Sequence, residues 1–181
     1  MRKIAGGRRK SKMGVILAID PGNTQSGYVI VEHDGEEIRS VLDAGKIDNE
    51  ELRHRLPEMV YGQGYDTVIE MIAGMGMAVG REVFDTCVWI GRFQEIIFLS
   101  TGDEPVKIFR REEKLDLCGS PNAKDANIRQ ALVDRYAPGQ QNFGKGTKKD
   151  PGFFYGFSAD MWAAMAVAVT YFDKYIKGVK L

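Results

Sequence analysis

Cysteine and histidine are scarce in this 181-residue chain, at two each, and no apolar run reaches the ~20 residues that a membrane span needs. Cys87 and Cys118 stand alone, without metal-ligand spacing, and read as reduced packing residues and not as a disulfide or zinc pair. His33 and His54 fall in a turn and in a helical stretch, away from every other motif. A zinc hydrolase or a Ser-His-Asp enzyme is therefore disfavoured. Met1 to Lys12 has no apolar core of the kind a signal peptide carries. A cytoplasmic protein is the default. The length suits one domain with a full core and is too short for two of ordinary size.

Net charge is also missing: 25 basic residues balance 25 acidic ones. Taken alone, that argues against a nucleic-acid partner, but the distribution is uneven. Arg2, Lys3, Arg8, Arg9, Lys10 and Lys12 form an arm without a single acid, so residues 1–13 read as a basic, flexible segment ahead of a domain over 14–181. Further basic clusters fall at Lys107, Arg110, Arg111 and Lys114, and at Lys145, Lys148 and Lys149. Local patches of this kind attract phosphates while the balancing acids occupy other faces.

Periodicity and turn residues predict strands over 14–20, 27–33 and 36–46, then a helix over 49–62 disturbed at Pro57. A strand over 66–72, a glycine- and methionine-rich loop over 73–80 and a long helix over 81–99 follow. A fifth strand covers 105–109. Helical segments at 110–117 and 121–136, with Ser120 and Pro121 as cap and first position, precede a last helix over 158–177. This order predicts an α/β fold, a mixed five-stranded sheet flanked by helices.

Three carboxylates stand where apolar elements should carry none. Asp20 ends the run Val15-Ile16-Leu17-Ala18-Ile19 and opens the turn Pro21-Gly22-Asn23-Thr24. Glu70 interrupts Val68-Ile69-Glu70-Met71-Ile72. Asp160 lies near the start of Ser158-Ala159-Asp160-Met161-Trp162-Ala163-Ala164-Met165-Ala166-Val167-Ala168-Val169-Thr170. A buried acid is costly unless a cation or metal answers it. Each acid could pair with a lysine or arginine, yet three of them on three elements suit hard divalent cations with oxygen ligands better.

These residues resemble the RuvC-type Holliday-junction resolvases, and most closely the versions carried by bacteriophages. The acid-bearing hairpin, the Val-Ile-Glu strand and the Asp-x-x-x-Ala-Met-Ala-Val-Ala-Val helix carry the resemblance, which spans roughly residues 14–175 in order and spacing. It implies a ribonuclease H-like fold, a homodimer, and magnesium-dependent nicking of four-way DNA junctions in a bacterial or phage-infected cell. It further implies that Asp20, Glu70 and Asp160 bind two Mg2+ ions, with Mn2+ as a substitute. Asp20 would bridge the pair and Glu70 and Asp160 would each complete one side. Two such ions about 3.5–4 Å apart activate water and stabilise the leaving oxygen of a phosphodiester displacement. Lys124 matches a basic residue the family uses near the scissile phosphate, and Lys107 is a second candidate. One departure stands out. Many bacterial relatives carry a further acid one helical turn after the position of Asp160, and here that place is Ala163. Three carboxylates must then suffice, or another acid such as Glu112 or Glu113 is recruited.

Three other segments bear on function. Gly74-Met75-Gly76-Met77-Ala78-Val79-Gly80 mimics a dinucleotide-binding loop, but its spacing is wrong and it follows the fourth strand. The helix after it carries Val83, Phe84, Cys87, Val88, Trp89, Ile90, Phe93, Ile96, Ile97, Phe98 and Leu99, more apolar surface than one buried face requires. It is either enclosed in the core or meets a second subunit, and a symmetric dimer would set two sites on one junction. Gln140 to Phe157 interleaves Lys145, Lys148 and Lys149 with Phe143, Phe153, Phe154, Tyr155 and Phe157. Such a mixture can grip phosphates and stack on unpaired bases, with Phe143 the best DNA contact and Tyr155 and Phe157 seating the last helix. Two classes compete with a junction resolvase. An actin-like kinase or ATPase would need a second such domain. A non-catalytic junction-binding relative would not need all three acids. Within the nuclease class, a broader branched-DNA or flap nuclease of phage DNA processing is the alternative.

Overall fold

Strand β1 (Gly14–Asp20) is apolar without interruption because it is covered on both faces, and Ile16, Leu17, Ala18 and Ile19 are wholly buried. The structure is a computed structural model that describes residues 13–74, 76 and 79–179. The basic residues of the N-terminal arm, and Met75, Met77 and Ala78 of the glycine-methionine loop, lie outside the described residues.

β1 pairs antiparallel with β2 (Gln25–His33), with Ile19 opposite Tyr28 and Asp20 opposite Gly27. On its other side it runs parallel to β4 (Asp66–Met71), with Ile16 beside Asp66 and Ile19 beside Ile69. β3 (Ile38–Asp48) and β5 (Val106–Phe109) form the edges, giving the order β3-β2-β1-β4-β5. The expected mixed five-stranded sheet is present. β2 starts two residues earlier and β3 ends two later than their apolar runs, because pairing of Gln25 with Asp48 carries the ladder into polar sequence. Edge strand β3 shifts register against β2 at Ile30/Val31 and at Glu32/His33.

Helices α1 (Asn49–Val60) and α2 (Arg81–Thr101) supply the crossovers that parallel strands demand, and they cover one face. Leu52, Leu56, Val60, Ile90, Phe93 and Ile97 pack there on Leu17, Ile19 and Ile69. Pro57 lies inside α1 without breaking it, and the helix ends three residues later at Val60.

The opposite face takes α3 (Arg110–Cys118), α4 (Asp125–Tyr136), an irregular turn α5 (Gln141–Gly144) and α6 (Ala159–Tyr171), which continues as a π-helical turn over Phe172–Ile176. α4 begins four residues later than Pro121. Residues 120–124 instead make a turn in which the Ala123 amide donates to the Ser120 carbonyl at 3.2 Å. The Lys124 amide then donates to Asn127 Oδ1 at 2.9 Å, which caps the helix.

α6 is buried on nearly all sides, and its alternation of Ala164, Ala166 and Ala168 with Met165, Val167 and Val169 lets its backbone lie against the sheet. The closest approach is at Gly27, where a Cβ would stand 2.3 Å from the Asp160 carbonyl oxygen and 2.6 Å from its carbon. Backbone atoms cannot yield as a flexible side chain can. Gly27→Ala should therefore destabilise the fold by about 1–3 kcal/mol by overpacking, and it should move the start of α6. Denaturant unfolding checks the first effect, and chemical shifts of residues 158–162 the second.

Candidate functional site

Parity along the strands decides where the acids point. On β1, Ile16 and Ala18 face α6 while Leu17 and Ile19 face α1 and α2, so Asp20 falls on the α6 face. On β4, Val68 faces α6 and Ile69 the other way, which turns Glu70 to the same side. Extending the parallel register by one step beyond Ile19 and Ile69 sets Asp20 beside Glu70. Asp160, in the first turn of α6, completes the lining. The three acids meet in one cleft of about 410 Å³, together with Arg110, Asp125, Ile128, Arg129, Trp162 and Ala163.

The turn that follows Asp20 is held from beneath. Ser26 donates its hydroxyl to Asn49 Oδ1 at 2.6 Å, and Asn49 donates Nδ2 to the Gly22 carbonyl at 2.9 Å. Ser26 and Asn49 are both buried, so this network fixes the hairpin tip without side-chain freedom. Asp160 meets Lys46 at 2.6 Å. Lys46 lies opposite Gly27 in the β2–β3 ladder, and the missing side chain at Gly27 leaves its path to α6 clear. Both partners are partly exposed, so the pair orients Asp160 more than it stabilises the fold.

Arg110, at the start of α3, donates to Glu113 Oε2 at 2.5 Å and to Asp125 Oδ1 at 2.6 Å. Glu113 is completely buried. Burial, and next the charge of Glu70, push the Asp20 carboxyl up to about 9. The same two causes, burial first, raise Glu113 to about 8. Glu112 has other employment: it accepts from the Phe109 amide at 2.8 Å and pairs with Lys174. Among the described residues, no three of these acids are arranged as a preformed metal cage. The donor set of the cleft is nonetheless all carboxylate, without histidine or cysteine, which suits a hard divalent ion.

The basic candidates are scattered around this centre. Lys124 is exposed at the N-cap of α4, one residue before Asp125, and does not itself line the cleft. Lys107 lies beside Ile69 on β5, which turns it toward the α2 face and away from the acids, and it is 4.0 Å from Glu104. Phe143 is half-exposed and carries the Arg129 guanidinium over its ring at 4.7 Å, which places it at the cleft rim. Lys145 is half-buried, and Lys148 and Lys149 are exposed on the following loop. Phe154 and Phe157 pack on Trp162 and seat α6, whereas Tyr155 is half-exposed and does not. Arg129, Asp125 and Lys46 escaped the sequence reading. Asp125 and Arg129 are one helical turn apart, so a common face of α4 was the only signal for them.

A mixed sheet in the order β3-β2-β1-β4-β5, with helices on both faces and acids at adjacent strand ends, defines a ribonuclease H-like fold. Solved structures agree. The structure of Thermus thermophilus RuvC superimposes with a TM-score of 0.66 at 16% identity, covering 92% of this chain and 98% of that one. T. thermophilus RuvC in complex with a Holliday junction substrate gives a TM-score of 0.61 at 14% identity, again covering 92% and 98%. No protein-family profile and no curated protein matches the chain.

The raised carboxyl of Asp20 has a consequence for stability. The folded protein holds a proton there between its ordinary value of 3.8 and about 9, whereas the unfolded chain has released it. Stability is thus fully present below the lower value and is lost as pH rises toward the upper one. In EDTA the thermal midpoint should fall steadily across this window. Asp20→Asn, which cannot titrate, should flatten the slope in the same melting series.

Proposed function

We propose that this protein is a structure-selective DNA endonuclease that resolves four-way junctions by paired nicks, as a homodimer that depends on magnesium. The observation that carries the reading is the convergence of Asp20, Glu70 and Asp160, from three distant segments, on one cleft rimmed by Arg110 and Arg129. The fold shared with T. thermophilus RuvC, one structure of which holds a Holliday junction substrate, supports a branched-DNA substrate.

Asp20, Glu70 and Asp160 would hold the metal, two ions per site, with manganese as a substitute. Bound there, the metal supplies an activated water and neutralises charge on the leaving oxygen. The chain's own residues do the rest. Arg129 lines the cleft with a planar guanidinium group that matches a phosphate in two-point contact, while Arg110, held by Glu113 and Asp125, adds positive charge. Lys124, next to the cleft at an N-cap, adds positive charge along the backbone path. Phe143, with its ring held at the rim, offers a stacking surface to a base unpaired at the junction centre. Lys145, Lys148 and Lys149 extend the phosphate grip beyond it, and Lys107 would serve an arm that passes the β5 edge.

The dimer rests on α2. Its inner face, Thr86, Ile90, Phe93 and Ile97, is buried. Phe84, Val88, Phe98 and Leu99 are exposed on the outer side, so the helix is not enclosed in the core. An apolar stripe of that kind fits a second copy of the same helix across a two-fold axis.

Two measurements test this reading. Purified protein is incubated with a labelled four-way junction, a flap or a linear duplex, in magnesium or EDTA. Symmetric nicks in the junction alone, absent in EDTA and reduced on the order of 10²–10³-fold by Asp20→Asn, are expected. Junction binding without cleavage in magnesium would overturn the enzyme, and equal cutting of the flap would broaden the substrate. Val88→Glu should convert a sedimenting dimer to monomer and leave single, uncoordinated nicks.

A further inference from the structure

The place one turn after Asp160 holds Ala163, which lines the cleft with a methyl group. Behind Arg110, which lines the same cleft, lies an acid that the fold does not use up. Glu113 is fully buried, and only one of its oxygens is engaged, by Arg110. Among the described residues, its Oε1 has no hydrogen-bond partner. The charge of Glu70 acts directly on it, and its own charge acts on Asp20, so the three carboxylates share one neighbourhood. Against them stands Arg110, whose second amino group is already given to Asp125.

A buried carboxylate oxygen without a donor is among the most costly arrangements a fold can keep. A purely structural Arg110–Glu113 pair would satisfy both oxygens or expose one to water. Here Oε1 has neither, and the group lies close enough to Glu70 for that charge to act on it. Glu112 is excluded from the same role, because the Phe109 amide and Lys174 occupy its two oxygens.

We infer that Glu113 is a fourth metal ligand, supplied by α3 in place of an acid on α6. This rests on the metal-dependent reading of Asp20, Glu70 and Asp160. Arg110 holds Glu113 through Oε2, so Oε1 would be the oxygen left to hold a divalent ion beside Glu70. The ligand set is thereby moved from one helix to another, and α3 becomes part of the centre.

The test is metal binding, which does not depend on turnover. Mn2+ is titrated calorimetrically into wild type, Glu113→Gln, Ala163→Asp and the double variant, with Asp20→Asn as reference. Gln keeps an acceptor for Arg110, and a thermal melt establishes that each variant folds. Glu113→Gln should weaken Mn2+ binding by about tenfold or more, the scale that loss of even an outer-shell partner produces. Ala163→Asp in the Glu113→Gln background should restore it. Unchanged affinity in Glu113→Gln, beside two ions in wild type and weakened binding in Asp20→Asn, would overturn the inference and leave the nuclease reading intact. Absence of Mn2+ binding in wild type would overturn both, and the failure would then lie with the metal centre as a whole.

Discussion

The closeness of the Asp20 and Glu70 carboxyls is the constraint around which the rest of the molecule is arranged. Two acids are set side by side at the ends of neighbouring parallel strands, on the face covered by a nearly all-apolar helix, where burial and the charge of Glu70 keep a proton on Asp20. Arg110 answers part of this charge through Glu113, and Lys46 answers Asp160 from the edge of the sheet. Each of these cations comes from an element whose place is fixed by the backbone: the start of α3 just after β5, and the ladder position opposite Gly27. The hairpin tip beyond Asp20 is buttressed by Asn49, the first residue of α1, so even the crossover on the far face contributes to holding the acid still.

Packing and charge therefore meet at one glycine. Gly27 lets α6 descend onto β2, and the same absence of a side chain opens the route from Lys46 to Asp160. A fold with any other residue there would have to move the helix, and with it the third carboxylate. The aromatic cluster of Phe154, Phe157 and Trp162 then clamps the start of α6 from the other direction.

The sheet, its helices and the three acids were legible in the chain because each left a contrast. Asp20 and Glu70 interrupt apolar runs, and alternation of the flanking residues tells which face they share. The cleft's other members left none. Arg129 and Asp125 look like ordinary surface charges of α4 until that helix is laid across the strand ends. Ser26 and Asn49 are small polar residues whose partnership spans 23 positions. Glu112 and Glu113 are adjacent, and only the helix direction separates the one tied to Lys174 from the one facing Glu70. Lys107 could be given to a strand but not to a face, since β5 has only four residues and an exposed edge. The start of α4 was misjudged because Pro121 favours a first helical position, whereas the side chain of Asn127 caps the chain four residues on.

β3 shapes how copies of this protein can meet. It is an eleven-residue border strand, long enough to template strand-to-strand growth, which is a hazard for any open sheet. Its two register shifts bend it away from a flat ribbon, and Arg39, Asp43, Lys46 and Asp48 alternate charge along it. Another chain adding at that border would have to bury those charges and follow an irregular ladder. Self-association by extension of the sheet at this border is thus disfavoured.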